Sequence, residues 1–283
     1  MIAKNLKPVY RMQSMFKQIT DTIASVLKMV LLTKYPLSCP LKPISKELVL
    51  LGNGPSLKLF LQEKGDFMKG KDLMMVNYAA VSEAFSLHKP RYYLLLDPAF
   101  FQKEENIGKI FIPLAEKTGW DMCLFVPYWA KKIKAWQQAL KGNSHIKLIF
   151  FNPVPVEGFD SFCHFCFDRQ WGMPRPRNVL VAGLMLGIRC GFSTIYMTGA
   201  DHSWLRELWV DEENVVHTDS AHFYDKKGAV TQATPYDMFF WMNNFAIAFR
   251  SYKQVERYAR KKGVDIYNVT PGSYIDAFRR KNV

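Results

Sequence analysis

The chain has 283 residues, 49% of them apolar and 14% aromatic, enough to bury one substantial core and too apolar for a disordered polypeptide. Its formal charge is +13, but no finger, aromatic-basic RNA motif or recognition-helix pattern accompanies the excess, so nucleic acid is not expected as a partner. The five cysteines form an odd set without disulfide-framework spacing. With no charged n-region leading into a cleavable apolar stretch, this predicts a reducing, cytoplasmic setting.

The charge is concentrated at the start. Residues 1–46 hold eight Lys/Arg and one acid, Asp21, so this sixth of the chain carries +7 and leaves +6 for the remainder. Within it, Met12, Met15, Phe16, Ile19, Ile23, Val26, Leu27 and Val30 recur at three- and four-residue steps opposite Arg11, Lys17, Asp21 and Lys28. That spacing predicts an amphipathic helix, too interrupted by charge to span a bilayer and suited to an anionic membrane surface. The alternative is a helix docked on its own domain or on a second subunit of a homo-oligomer. Three prolines between Tyr35 and Pro43 read as a linker, so the globular domain, 47–283, is expected to begin near Glu47.

From there short apolar runs alternate with helical stretches. Leu48–Leu51, Leu73–Val76, Tyr92–Leu96, Met122–Val126, Leu148–Phe151, Ile195–Thr198 and Ile266–Val269 read as strands. Helices are expected around Ser56–Gln62, Ala79–Ser86, Tyr128–Leu140, Val179–Cys190 and Pro235–Lys262. This alternation predicts an α/β fold: a Rossmann-like, doubly wound parallel sheet, whose ligand sites lie at the carboxyl ends of the strands. Cys163-His164-Phe165-Cys166 looks like half a zinc site, but nothing completes it, and two core thiols are the simpler reading.

The strand ends are polar. After the first strand comes Gly52-Asn53-Gly54-Pro55-Ser56, neither a dinucleotide fingerprint nor a P-loop. Its glycines would let a ligand approach the backbone, and Ser56 would cap the following helix, whose amides attract phosphate. Asn77, Asp97-Pro98, Gly199-Ala200-Asp201 and Thr270-Pro271-Gly272-Ser273 end later strands. Each alone is ordinary turn chemistry; together they converge on one crevice.

In order and spacing these segments resemble bacterial lipooligosaccharide sialyltransferases, over roughly 48–201 and more loosely over 217–278. The resemblance implies a metal-independent, inverting glycosyltransferase of cell-surface glycan synthesis, using a CMP-linked acidic sugar and a glycan or glycolipid acceptor, with no cofactor or metal. No Asp-x-Asp metal motif is present. It further implies donor contacts from Gly52, Asn53, Gly54, Ser56, Asn77, Asp97, Asn178, Gly199, Asp201, Thr270 and Ser273. Asp97 stands where the family has Asn. Arg175 or Arg177 falls near a family arginine, and Arg177 joins the catalytic set. An inserted lid, about 202–234, would supply His222 as general base, ahead of His217 and His202, and Tyr224 as a donor to the leaving phosphate. Two other functions share the Gly-x-Gly-Pro-Ser opening. One is a hydroxymethylpterin pyrophosphokinase-like enzyme using ATP with Mg²⁺ on Asp97 and Asp201; the other is a non-catalytic sugar-nucleotide-binding protein of polysaccharide assembly.

Overall fold

A computed structural model describes residues 2–34, 41–220 and 230–283, with side chains of the first helix from Met15 onward. His222, Tyr224 and the first part of the linker lie outside the described residues.

Eight strands form one parallel sheet: β1 (Glu47–Leu51), β2 (Asp72–Val76), β3 (Tyr92–Leu94), β4 (Met122–Pro127), β5 (Ile146–Phe151), β6 (Thr194–Thr198), β10 (Asp265–Asn268) and β11 (Arg279–Arg280). A small antiparallel sheet, β7 (Leu208–Val210), β8 (Val216–Ser220) and β9 (Val230–Ala233), is inserted after β6. All seven expected strands are present. Alternate residues feed two cores, as the period-two geometry of a strand requires: Leu48 and Leu50 pack on one side, Val49 and Leu51 on the other.

On the first side lie α1 (Ile2–Leu32), α8 (Asp160–Asp168), α9 (Val179–Cys190) and α11 (Met238–Lys262). On the second lie α2 (Ser56–Glu63), α3 (Gly65–Met68), α4 (Glu83–His88), α5 (Ala99–Gln102), α6 (Glu104–Lys117) and α7 (Lys134–Ala139). The short α10 (Trp204–Glu207) leads into the small sheet. The expected helix at Ala79–Ser86 is a 3-10 turn followed by α4, and that at Tyr128–Leu140 is likewise divided before α7. Sequence periodicity missed α6, where Gly108 and Pro113 interrupt the pattern, and α8.

The strand order β11-β10-β6-β1-β2-β3-β4-β5 contains one reversal. From β1 the chain winds outward through β2 to β5, then returns to place β6 on the other flank of β1. The helices that pack on the sheet after β1 and β6, α2 and α11, therefore lie on its opposite faces, and a crevice opens at the carboxyl ends of the two strands. Helix α11 is 25 residues long, about 37 Å, more than twice the length of the strands it packs on. Its second half lies on the sheet, while its first half stands above the crevice.

Helix α1 is not detached from the domain. Met29 enters the core, the Ser25 hydroxyl donates to the Glu157 carbonyl and accepts from the Glu157 amide, and the Thr33 hydroxyl donates to the Trp171 carbonyl.

Candidate functional site

At the reversal between β1 and β6 lies a cleft of about 740 Å³. Its floor is made by two loops joined through their backbones: the Gly52 amide donates to the Thr198 carbonyl (2.8 Å) and the Gly54 amide to the Gly199 carbonyl (2.9 Å). A Cβ on Gly52 would fall 2.4 Å from the Gly199 oxygen, and one on Gly199 2.7 Å from the Gly52 oxygen. Each of these glycines is thus packed closely against the backbone of the other loop.

Ser56 also acts differently from the expectation. It is the first residue of α2 rather than its cap, and its hydroxyl donates to Asp201 Oδ2 at 2.8 Å. The Ser56 amide points to the same carboxylate, so Asp201 holds the position at the α2 N-terminus that an anionic ligand would otherwise take. Burial pushes the Asp201 carboxyl up, outweighing the hydroxyl and amide that oppose it. A desolvated carboxylate facing a cleft is suited to accept a proton.

Asn53 and Asn77 stand on the β2 side of the cleft. Asn53 Nδ2 donates to the Val76 carbonyl, and Asn77 adopts a left-handed backbone with φ of 53°. In both, the side-chain Oδ1 is buried with no hydrogen-bond partner among the described residues. Two such acceptors offer a ligand places for hydroxyl or amino donors. Asp97 lines the same side, with Oδ1 taken by the Ala99 amide.

Across the cleft is the N-terminus of α9. Asn178 caps it, accepting from the Leu180 amide at 2.8 Å, and Arg177 stands beside it, exposed and with no ion pair among the described residues. A guanidinium at the N-terminus of a helix, where the dipole is positive, forms a positive end suited to an anion.

Asn178 Oδ1 also accepts from the Tyr252 hydroxyl (3.1 Å), and that hydroxyl lies 2.8 Å from His202 Nε2. Tyr252 has one proton and gives it to Asn178, so His202 Nε2 carries the proton in their contact. His202 is buried, which lowers its pKa to about 3, leaving it a neutral structural link rather than a base. His217 is stacked on Trp209, bonded to Asp211 at 2.7 Å, and lies outside the cleft lining.

Thr270 and Ser273 are buried and hold the β6 terminus from behind: Thr270 Oγ1 accepts from the Ala200 amide, and Ser273 Oγ donates to the Ala200 carbonyl. Together with Ser56 they face a neighbouring pocket of about 580 Å³. Of the expected donor residues, Asn53, Gly54, Asn77, Asp97, Asn178, Gly199 and Asp201 therefore share one cleft with Arg177. Gly52, Ser56, Thr270 and Ser273 shape it from outside.

The sequence reading missed Tyr78, whose hydroxyl donates to Asn106, and the aromatic wall of Trp241 and Phe245 that α11 contributes. Trp204 stacks on Phe245 at 5.2 Å and meets His202 at 4.0 Å, so rings run from the strand end to the cleft mouth. The signal was present in the Phe239-Phe240-Trp241 run, whose aromatics exceed what a single core-facing stripe needs.

Cys163 and Cys166 are core thiols, pushed by burial to about 12 and about 11. Among the described residues no three His, Cys, Asp or Glu are grouped to hold a metal, and no helix is long and apolar enough to cross a membrane. No protein-family model and no curated protein matches the chain, so the sialyltransferase resemblance rests on the strand-end motifs.

Proposed function

We propose that this protein is a metal-independent, inverting glycosyltransferase that moves an acidic sugar from a CMP donor to a glycan or glycolipid acceptor, working against the cytoplasmic side of a membrane. The observation that carries this reading is the division of the cleft into three chemistries. Buried amide oxygens of Asn53 and Asn77, without partners among the described residues, lie on one wall, Arg177, likewise without an ion pair among them, at a helix N-terminus on the other, and the desolvated Asp201 carboxylate between the two loops.

Each wall suits one part of a sugar nucleotide. The amide oxygens accept from ribose hydroxyls or the cytosine amino group, and Arg177, at the positive end of the α9 dipole, takes the phosphate. The acceptor hydroxyl oxygen bonds to the anomeric carbon as that carbon's bond to phosphate oxygen breaks. The electron pair leaves with CMP, and the hydroxyl proton passes to a base. We assign that base to Asp201, with His222, implied by the resemblance, as its rival. The segment 202–234, with Tyr224, would close over the donor. The apolar side of α1 left exposed by its docking supports contact with a bilayer.

The test is a thermal-shift comparison of CMP, UDP, GDP and ATP, each with and without Mg²⁺. Cytidine nucleotides are expected to raise Tm without added metal, by a stabilisation of about 2.7 kcal/mol at 100 times Kd. A shift with Mg-ATP alone would transfer the assignment to the pyrophosphokinase class.

A further inference from the structure

Helix α1 and Thr33, the residue after it, meet the domain along a narrow strip of Thr22, Ser25, Met29 and Thr33. Beside that strip, Phe16, Ile23, Leu27, Val30 and Leu31 are 58–79% exposed. The domain continues the same apolar surface through Phe159 and Phe165, which flank and belong to α8. Between the two helices runs a groove of about 370 Å³ walled by Val26, Met29, Val30, Phe162 and Trp171 and ending at Thr33 and Lys34. That volume falls in the range of ligand sites, about 300–1,000 Å³. Cations stand at its rim: Lys34, and Arg169, whose guanidinium lies over the Phe165 and Trp171 rings at 4.8 and 5.8 Å. Neither has an ion pair among the described residues.

Building on the membrane contact proposed above, we infer that this groove takes the acyl chain of an anionic phospholipid, with Lys34 and Arg169 on its phosphate. An apolar trough opening onto an exposed apolar stripe accepts a chain continuous with the bilayer interior, while unpaired cations at its end match a headgroup anion. A second copy of the chain fits less well. Residues 1–46 carry eight cations and one acid, so two such surfaces repel each other where an anionic leaflet attracts them. The consequence is a specific lipid held by the folded domain as well as by α1.

The experiment uses the full-length protein and phosphatidylcholine vesicles with and without phosphatidylglycerol, some carrying brominated acyl chains. Partitioning should be stronger on the anionic vesicles, and the double variant Leu27→Asp/Val30→Asp should lower it by at least about tenfold. Bromine should quench a component of the fluorescence that Trp171→Phe removes. Val26→Phe, which fills the groove but keeps the surface apolar, should remove the same quenching while leaving sedimentation unchanged. Circular dichroism and the CMP-induced Tm shift serve as controls for folding.

Partitioning without Trp171-dependent quenching overturns the groove and leaves surface adsorption standing. Absence of partitioning overturns both. A concentration-dependent dimer abolished by Leu27→Asp/Val30→Asp, without lipid binding, makes the stripe an interface between copies and also overturns the proposal.

Discussion

Gly54 and Asp201 are so close that a Cβ added to Gly54 would fall 1.9 Å from Asp201 Oδ2. The added carbon would also lie 2.8 Å from the Gly199 carbonyl oxygen, which is backbone and cannot swing aside. Gly54→Ala must therefore part the two loops that floor the cleft. The expected result is a destabilisation of about 1–3 kcal/mol and loss of the CMP-induced Tm shift. Denaturant melts and nucleotide titration measure both, and unchanged nucleotide affinity would mean the loop contact does not shape the binding site.

Asp201→Asn keeps the size of the side chain and removes its basicity. Turnover is expected to fall by about 10²–10⁴, with nucleotide affinity nearly intact. In the wild type the acid limb of kcat/KM should titrate above the ordinary carboxylate range, because burial raises Asp201; Ser56→Ala, which removes an opposing hydrogen bond, should move the limb further up. His222→Ala is the companion measurement. If it alone abolishes transfer while Asp201→Asn turns over normally, the base is His222.

Glu157 joins α1 to both α11 and the loop before α9. Its carboxylate pairs with Arg175 and Arg250, while its backbone exchanges hydrogen bonds with Ser25. Burial alone would push this carboxyl up, but Arg175, Arg250 and Lys28 outweigh it and hold it below the usual range. The folded state thus favours the ionised form, and the stabilisation is present above the unfolded pKa and lost as pH falls through the folded one. Glu157→Gln should cost about 3 kcal/mol at neutral pH by leaving two guanidinium groups unpaired. Urea melts should show the gap between variant and wild type shrinking below about pH 4.

His202 gives linkage of the same sign from a different cause, the burial of a neutral ring. Its folded pKa of about 3 lies below that of the unfolded chain, so between the two values the unfolded state binds the extra proton. Stability should therefore fall as pH drops from about 6.5, by up to about 1.4 kcal/mol per unit from this residue. His202→Asn, which tolerates the left-handed φ of 53°, should flatten that slope relative to wild type in melts across the range. An unchanged slope would place the acid sensitivity in other groups.

The sheet was legible because its strands are buried on both sides. Runs such as Leu48–Leu51 and Ile195–Thr198 must be continuously apolar, and the helix Val179–Cys190, covered all round, announces itself in the same way. The order of strands was not legible in those runs, since any buried apolar strand can pair with any other. Only the folded chain places β6 beside β1, and that single adjacency turns the separate turns at Asn53, Asn77, Asn178 and Asp201 into one cleft.

Residue order and spacing marked the strand ends as polar and predicted a basic, apolar-striped helix at the start of the chain. Which polar groups are spent internally was a tertiary decision. Ser56 is committed to Asp201, Thr270 and Ser273 to Ala200, and His202 to Tyr252, because each has a partner distant in sequence that burial brings within hydrogen-bond reach. Among the described residues Asn53 and Asn77 keep buried acceptor oxygens without partners, and Arg177 keeps a charge without an ion pair, for the complementary reason: the neighbours that packing gives them leave one group over. Sequence fixes the chemistry available at each position, whereas packing decides which of those groups are left for a ligand.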